Sequence, residues 1–247
     1  MKIVVLGNGL AYDAFKAFDF TVIDNDVTSL DLSTLDEFDV VVNAYESKSD
    51  DVSGMYIYNA EVPAVLNEYC AHTGKRFVHI STGDLYDNSM IPQSETSVTS
   101  VKTEYETTKF LGESYCDPSN TLILRPKNLF NGTISPNNSL YKLMCNPSNI
   151  DIPVSFTHTS DLIRSMTKLL REKKTGTFNV TSNGTVSPFK VSPAPSYMKK
   201  DCIADLNLTS NTVSVLNTDK LFQHHITDDV DVQLLESISA ITATLKS

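Results

Sequence analysis

Residues 2–10 read KIVVLGNGL, a short apolar segment that leads directly into a glycine-containing turn. The β-branched and apolar side chains of Lys2 to Leu6 favour a buried β-strand. Gly7-Asn8-Gly9 follows at once, and we expect a helix to begin at about Leu10. A strand, a tight turn and a helix in this order predict the first unit of an α/β fold.

Strand-like and helical segments continue to alternate along the chain. The further strand-like segments are Thr21 to Ile23, Val40 to Val42, Arg76 to Ile80 and Thr121 to Arg125. Between the third and fourth strands, Tyr56 to His72 carries apolar residues near the helical period. This alternation predicts an α/β fold with a Rossmann-type, doubly wound parallel sheet. In such a sheet, ligands bind at the carboxyl ends of the strands where the strand order reverses.

The predicted domains are a Rossmann domain for dinucleotide binding over 1–130 plus 156–180 and a small C-terminal substrate lobe over 131–155 and 181–220. Proline-rich stretches interrupt regular structure in that lobe. Residues 221–247 are expected to add a helix that packs back on the core. Its expected buried stripe has near-helical spacing and consists of Val232, Leu235, Ile238, Ile241 and Leu245.

Composition narrows the range of partners. The 247 residues carry a formal net charge of -10, and the 20 Lys and Arg are scattered, so nucleic acid is not expected as a partner. No stretch approaches the run of about 18 apolar residues that a membrane span requires, and Met1-Lys2 leads into a strand rather than a secretory leader. The four cysteines are widely spaced, which predicts reduced thiols, no metal site and a cytoplasmic protein.

The glycine turn has a chemical interpretation. Gly7-x-Gly9 after a strand lets backbone N–H groups and the helix dipole approach a pyrophosphate, although it also fits an ordinary tight turn. The full dinucleotide fingerprint places a third glycine where this chain has Tyr12, a side chain too large for close helix packing unless the helix moves outward. Asp24 follows the second strand. If it binds the adenosine ribose it favours NAD over NADP, whereas a turn-forming aspartate leaves the choice of NAD or NADP open.

A second motif lies in SVKTEYETTKFLGE, residues 100–113. Tyr105 and Lys109 are four residues apart, so on a helix the ammonium can lie beside the phenol and lower its pKa from about 10. The same spacing at Tyr12 and Lys16 shows that an isolated match can be an ordinary exposed helix face. Only the second copy follows an apolar strand that ends in Ser81-Thr82. There the Thr82 hydroxyl can hold a substrate oxygen while Tyr105 exchanges a proton.

Fragments along nearly the whole chain carry a family resemblance. They are VVVNA at 40–44, Asn59-Ala60, FVHIST at 77–82, YETTK at 105–109, LILRPKNLFNG at 122–132, SFTHTSDLIRSM at 155–166, GTFNVTSNGTVS at 176–187 and LNTDKL at 216–221. In their order and spacing, the chain resembles the extended short-chain dehydrogenase/reductase superfamily. Within it, the chain is most similar to dTDP-4-dehydrorhamnose reductases and to related NAD-dependent nucleotide-sugar epimerases and dehydratases.

The resemblance implies a role for each matching position. Thr82, Tyr105 and Lys109 would be catalytic, with Thr82 orienting the substrate carbonyl and Lys109 also binding the cofactor ribose. The implied cofactor-binding residues are Gly7, Gly9, Leu10, Asp24, Asp31, Leu32, Asn43, Ala44, Tyr45, Asn59 and Lys109. The implied substrate-binding residues are Thr82, Asp84 and Asn128. His158 and Asp161 match a motif that usually supports the substrate lobe, and we expect a structural role for both.

The implied function is reduction of a nucleotide-activated 4-keto-6-deoxysugar, as in rhamnose biosynthesis, with NAD or NADP as cofactor. Epimerisation of a nucleotide sugar and a non-catalytic, dinucleotide-binding regulatory role are the alternatives, and a homodimer is consistent with the family. Two further departures from the family pattern bear on substrate binding and on the reaction. No arginine follows Arg171 to grip a diphosphate, so Lys190, Lys199 or Lys200 would have to substitute. Gly83-Asp84 replaces an acidic pair, which makes dehydration less favourable than reduction or epimerisation.

Overall fold

The computed structural model describes residues 1–23, 29–48, 51–89, 91–146, 152–191 and 214–246. The described residues form two compact units. The first takes in residues 1–86, 98–125 and 166–178, and the second takes in residues 87–97, 126–165 and 179–247. The domain boundaries inferred from the sequence stay a prediction.

The strands form where β-branched and apolar residues cluster. Their bounds are β1 (Ile3–Gly7), β2 (Thr21–Ile23), β3 (Val40–Ala44), β4 (Arg76–Ile80), β5 (Thr121–Pro126), β6 (Leu129–Phe130), β7 (Thr157–His158) and β8 (Gly176–Val180). Within the described residues, one sheet has the order β2-β1-β3-β4-β5-β8, and β6 pairs with β7 separately. All the pairings from β2 to β5 are parallel. The predicted Rossmann-type α/β class is confirmed.

Helices follow the strands in turn. Their bounds are α1 (Gly9–Ala17), α2 (Val52–Tyr56), α3 (Val62–Thr73), α4 (Glu104–Ser114), α5 (Ser139–Cys145), α6 (Thr159–Arg171), α7 (Pro188–Val191), α8 (Asp219–Phe222) and α9 (Val230–Lys246). Local sequence fixes several ends. Thr103 and Glu106 form a reciprocal capping box that starts α4. Gly74, with φ of 68°, ends α3 in the left-handed conformation that glycine adopts without strain.

The strand order reverses between β1 and β3, and their carboxyl ends meet there. Both strands are buried almost throughout, as expected for a parallel sheet covered on both faces. The apolar core of the first unit forms around them, from Val4 and Leu6 on β1, Val41 on β3, Phe77 on β4 and Ile123 on β5. The reversal point is where ligands bind in open α/β sheets.

The helix predicted over Tyr56 to His72 is interrupted. A π-helical turn, Ile57–Glu61, separates α2 from α3. The turn brings the backbone oxygen of Asn59 so close to α4 that a Cβ built on Gly112 would lie 2.1 Å from it. Position 112 therefore requires glycine, and the close contact fixes the helix that carries Tyr105 and Lys109.

The C-terminal helix buries a different face from the predicted one. Val232 and Leu235 are exposed, and the buried positions are Val230, Gln233, Leu234, Ser237 and Ile241. The predicted stripe is therefore wrong except at Ile241 and the partly buried Ile238. A polar contact explains the shift, because Gln233 turns inward and its Nε2 donates to the Oδ2 atom of buried Asp161 at 2.9 Å. The apolar residues of this face pack in the core of the second unit.

The cysteines of the described residues lie in the protein interior. Cys70, Cys116 and Cys145 are buried free thiols, and burial raises the pKa of both Cys70 and Cys116 to about 12. Cys202 lies outside the described residues.

In the described part of the chain, every helix is too short or too polar to cross a membrane.

A buried ion pair ties α4 to the end of β5. Arg125 Nε and Nη2 donate to the two carboxylate oxygens of Glu113 at 2.9 and 2.5 Å, and Arg125 Nη1 donates to the Tyr86 hydroxyl. Both charged side chains are more than nine-tenths buried. A fork that satisfies both oxygens limits the cost of burying two charges.

Replacing Arg125 with Met leaves the Glu113 carboxylate buried without its partner. The free energy of unfolding is expected to fall by about 3–5 kcal/mol, measured by urea denaturation. Arg164→Met is the matched control, because its pair with Asp228 is exposed and should contribute less than about 1 kcal/mol. Equal losses in the two variants would contradict this prediction.

Candidate functional site

The carboxyl ends of β1 and β3 approach too closely for any residue but glycine at position 7. Gly7 is paired with Ala44, and a Cβ on Gly7 would lie 2.7 Å from the carbonyl carbon and oxygen of Ala44. Gly9, with φ of 72°, then begins α1. The side chain of Asn8 does not cap this helix, because its Oδ1 accepts the backbone N–H of Glu46 at 2.8 Å. The first N–H groups of α1 are thus left without a side-chain cap, which suits a phosphate ligand.

The segment after β3, Tyr45–Lys48, is held by asparagines, and we refer to it as the post-β3 segment. Asn8 fixes the backbone of Glu46, and the Oδ1 atom of Asn43 accepts the backbone N–H of Tyr45 at 3.1 Å. The Asn43 side chain is fully buried, and its Nδ2 lies 3.1 Å from the Nδ1 atom of His79. The predicted contact of Asn43 with a cofactor stays a prediction, because both ends of its amide are engaged within the protein.

Asn59 holds the same segment from the π-helical turn. Its Oδ1 accepts the Ser47 backbone N–H at 2.9 Å, and its Nδ2 donates to the Ser47 carbonyl at 2.8 Å and to Thr108 Oγ1 at 3.1 Å. The side chain is fully buried. Asn59 therefore links the post-β3 segment to α4, and its predicted cofactor contact also stays a prediction.

Tyr105 has a different neighbour from the predicted one. Its hydroxyl donates to Glu46 Oε1 at 2.5 Å, and Lys48 Nζ lies 4.5 Å from the centroid of its ring. Burial and the Glu46 carboxylate raise the pKa of Tyr105 well above 10. The expected lowering of this pKa by Lys109 is thus wrong, because a carboxylate rather than an ammonium contacts the hydroxyl.

Glu46 and Lys48 form an ion pair of 3.1 Å at Glu46 Oε1. Their side chains are 37% and 48% exposed, so both remain open to solvent. Partial burial opposes ionisation of Glu46, but Lys48, Lys109 and the Tyr105 hydroxyl outweigh it and lower the pKa of Glu46 to about 2. Partial burial likewise opposes the charge on Lys48, yet Glu46 holds the pKa of Lys48 well above its usual value.

Lys109 is an ammonium enclosed by protein. Its side chain is 1% exposed, and Nζ donates to the Ile80 carbonyl at the end of β4 at 2.9 Å. Burial is the main cause that lowers the pKa of Lys109 to about 8, with Lys48 adding to the effect and Glu46 opposing it. Burial, followed by the charge of Lys109, also lowers the pKa of buried His79 well below 6.5. His79 is therefore neutral at neutral pH.

Thr82 lies directly after β4 and is buried. Its Oγ1 accepts the backbone N–H of Asp84 at 3.1 Å and caps the short 3-10 turn Gly83–Leu85, against which α4 packs. An accepting hydroxyl oxygen keeps its own hydrogen for donation to another group. Asp84 is partly buried and acts on the pKa values of both Tyr105 and Lys48. Thr82, Asp84, Tyr105 and Lys109 all belong to the first unit.

The remaining predicted cofactor residues are spread over the first unit. Leu10 and Ala44 are buried, and Tyr45 is buried with its ring 5.7 Å from that of Tyr58. Asp31 is exposed and caps a 3-10 turn that begins at Leu32, accepting the Ser33 backbone N–H at 3.0 Å. Asp24 lies outside the described residues. The roles assigned to these positions stay predictions.

Tyr12 is accommodated inside the first unit. Its side chain is buried, and α1 forms over Gly9–Ala17 with tyrosine at the third-glycine position.

Asn128 belongs to the second unit and adopts a left-handed φ of 47°. Its Nδ2 donates to the Ser155 carbonyl at 3.0 Å. His158 is half-buried, with Nδ1 2.7 Å from Ser160 Oγ, while fully buried Asp161 accepts from Ser182 Oγ at 2.7 Å. These bonds agree with a structural role for His158 and Asp161. The substrate contact predicted for Asn128 stays a prediction.

The possible diphosphate ligands Lys199 and Lys200 lie outside the described residues, as does the side chain of Lys190.

Sequence reasoning missed Glu46 and Lys48. A signal for them exists, because two charged residues follow the buried strand VVVNA at the sheet edge where ligands bind. Neither residue belongs to the motifs that carry the family resemblance.

The depressed pKa of Lys109 makes stability depend on pH. The unfolded lysine holds its proton up to about pH 10.4, whereas the folded one releases it near pH 8, so the unfolded state binds more protons between these values. The free energy of unfolding contributed by this group should therefore rise between about pH 8 and pH 10, by on the order of 3 kcal/mol. Lys109→Met should lack the rise in denaturation at stepped pH, and Lys168→Met, an exposed lysine, should keep it. A rise that persists in Lys109→Met would contradict this prediction.

Comparison with known proteins was made by family model, by sequence and by structure. A family model described as the RmlD substrate binding domain matches residues 36–195, more than half of the chain. No curated protein matches the chain.

Three solved structures illustrate the structural similarity. The dTDP-4-dehydrorhamnose reductase of Clostridium acetobutylicum is 22% identical with a TM-score of 0.75, and 100% of both chains is covered. The dTDP-4-dehydrorhamnose reductase of Bacillus anthracis, in complex with NADP, is 17% identical with a TM-score of 0.75 over 96% of this chain and 99% of the other. The UDP-glucuronic acid 4-epimerase of Bacillus cereus, in complex with NAD, is 20% identical with a TM-score of 0.76 over 98% and 99%.

At such low identity, these structures show a shared fold. The family model goes further, because it shows which family the chain belongs to. As its sequence motifs indicate, the chain belongs to the RmlD substrate binding domain family, within the extended short-chain dehydrogenase/reductase superfamily.

Proposed function

We propose that this protein is an NAD(P)-dependent oxidoreductase that reduces a nucleotide-activated 4-keto-6-deoxysugar. The observation that carries the proposal is the set of Thr82, Tyr105 and Lys109 at the carboxyl edge of the sheet. Thr82 caps the start of the turn after β4, Tyr105 lies on the α4 helix packed against that turn, and Lys109 reaches the last residue of β4. Two of the similar structures are named as dTDP-4-dehydrorhamnose reductases, which supports this substrate class.

The residues at the reversal point fit a dinucleotide. Gly9 opens α1 at positive φ, and the first N–H groups of that helix lack a side-chain cap, so they are suited to a diphosphate. Lys109 keeps an ammonium at the carboxyl end of β4, suited to a ribose hydroxyl. The similar structures contain NADP in one case and NAD in another, so either cofactor is compatible with this fold.

The bound dinucleotide would supply the electrons of the redox step, and the protein would position and protonate the substrate. Thr82 has a hydroxyl hydrogen left to donate toward the substrate carbonyl oxygen, because its oxygen already accepts from Asp84. Tyr105 would give its proton to the same oxygen as negative charge develops there. Donors aimed at a developing oxyanion stabilise the transition state more than the ground state. The charge of Lys109 would favour that anion.

A non-catalytic dinucleotide-binding subunit is the second candidate, and one observation favours it. The Tyr105 hydroxyl already donates to Glu46 at 2.5 Å, so the proton needed for catalysis is engaged within the protein. A subunit that only binds the dinucleotide does not need that proton to be free. Epimerisation is the third outcome to be tested, because one similar structure is named as a UDP-glucuronic acid 4-epimerase.

Tyr105→Phe removes the proposed acid and leaves the ring in place. With reduced dinucleotide and dTDP- or UDP-4-keto-6-deoxyhexose, turnover should fall by about 10²–10⁴-fold, because general acid catalysis contributes that much. Binding of the dinucleotide, followed by its fluorescence, should change little. Tyr115→Phe is the matched control, since Tyr115 is an exposed tyrosine at the end of the same helix, and its turnover should equal that of the wild type.

Each alternative gives a distinct result in the same assay. Dinucleotide binding without turnover, unchanged by Tyr105→Phe, supports the non-catalytic subunit and contradicts the reductase. Inversion of a sugar carbon without net consumption of reduced dinucleotide supports the epimerase.

A further inference from the structure

Glu46 contacts the Tyr105 hydroxyl, which would supply the proton in the proposed chemistry. Its Oε1 accepts a hydrogen bond from the Tyr105 hydroxyl at 2.5 Å and lies 3.1 Å from the Lys48 ammonium, which itself covers the tyrosine ring. Glu46, Lys48 and Tyr105 thus form a cluster of three at the carboxyl edge of the sheet.

Two asparagine side chains fix the backbone that carries Glu46. The Glu46 N–H is bound by Asn8, and both backbone polar groups of Ser47 are bound by Asn59. The Glu46 side chain therefore starts from a fixed point and is 37% exposed, which leaves it open to a ligand. A fixed backbone with an accessible carboxylate is the arrangement expected of a residue that positions another group.

The contact has a chemical consequence for Tyr105. A phenol has one proton to donate, so while it donates to Glu46 it cannot donate to a substrate oxygen. Glu46 remains ionised at neutral pH, because Lys48, Lys109 and the tyrosine hydroxyl keep its pKa near 2 despite burial. The charged groups that face Tyr105 are Glu46, Lys48 and Asp84, and two of these three are carboxylates that disfavour a phenolate.

We propose that Glu46 is a positioning residue that holds the hydroxyl proton of Tyr105 in the free protein, and that Tyr105 becomes a proton donor only when this bond opens. The inference rests on the proposed function. In the active form, hydride from reduced dinucleotide would add to the carbonyl carbon and the C=O π pair would move onto the oxygen, so that the sugar is reduced and the dinucleotide oxidised. The Tyr105 O–H bond would break as an O–H bond forms on that oxygen. The electron pair left on the phenolate is protonated again from water.

Glu46→Gln tests the contact without any cofactor or substrate. The amide keeps the shape of the side chain and removes its charge, and the bond from Asn8 is kept because it uses the backbone. Tyrosinate absorbance during alkaline titration of the ligand-free protein should show Tyr105 ionising at lower pH in this variant, by about one unit or more. Glu46→Gln combined with Tyr105→Phe identifies the signal, because the additional ionisation should disappear.

Glu37→Gln is the matched control. Glu37 is exposed, and its carboxylate accepts from the Lys2 ammonium rather than from a tyrosine. Its titration should equal that of the wild type. An unchanged titration in Glu46→Gln overturns the inference whether or not the protein is an enzyme, since this measurement needs neither dinucleotide nor sugar.

The second arm measures kcat and its pH profile. With the charge-assisted hydrogen bond removed, kcat of Glu46→Gln should rise by roughly tenfold, and the basic limb of the profile should move to lower pH. Glu37→Gln should match the wild type. A shifted titration with a lower kcat overturns the inference, because Glu46 would then assist the proton transfer. If neither protein turns over any keto sugar tested, the proposed function fails, and the titration alone decides the role of Glu46.

Discussion

The polar contacts of the candidate site begin with the pairing of β1 and β3, whose carboxyl ends leave no space for a side chain at Gly7. A Cβ there would lie 2.7 Å from the backbone of Ala44, well inside van der Waals contact. This pairing brings Asn8 within 2.8 Å of the Glu46 backbone, and Glu46 in turn reaches Tyr105. The environment of the tyrosine hydroxyl therefore depends on a backbone contact at the point where the strand order reverses.

The two lysines near Tyr105 differ in burial, and this difference separates their effects. Lys48 is half-exposed and forms an ion pair with Glu46, so these two charges largely cancel. Lys109 is enclosed, and burial lowers its pKa to about 8, so it is mostly protonated at neutral pH. Among the described residues, no carboxylate is bonded directly to this ammonium, since Nζ donates to the neutral Ile80 carbonyl. A buried ammonium without a directly bonded carboxylate costs stability and favours an anion close to it.

Elements governed by local pattern were predictable from the sequence, and contacts between distant residues were not. The β-branched runs placed Thr21–Ile23 and Arg76–Ile80 at their observed bounds. Apolar periodicity could not reveal the π-helical turn at Ile57–Glu61, nor the bond from Gln233 to Asp161 that rotates the buried face of α9. The spacing rule for helices suggested Lys109 as the partner of Tyr105. The observed partner, Glu46, is 59 residues away in sequence, and only the sheet topology brings it there.

A carboxylate on the hydroxyl of Tyr105 opposes what a general acid requires, and such local conflicts are expected at functional sites. The bond also orients the hydroxyl and the ring before a ligand arrives, which lowers the entropy cost of binding. It opens at least cost when the ligand donates a hydrogen bond to Glu46 in place of the Tyr105 hydroxyl. A sugar with a hydroxyl next to its carbonyl can donate to Glu46 while its carbonyl accepts from Tyr105. An isolated ketone has no such hydrogen and would leave the Glu46 charge without that hydrogen bond. Under the proposed function, the contact that restrains Tyr105 would thereby favour hydroxy-ketones over simple ketones.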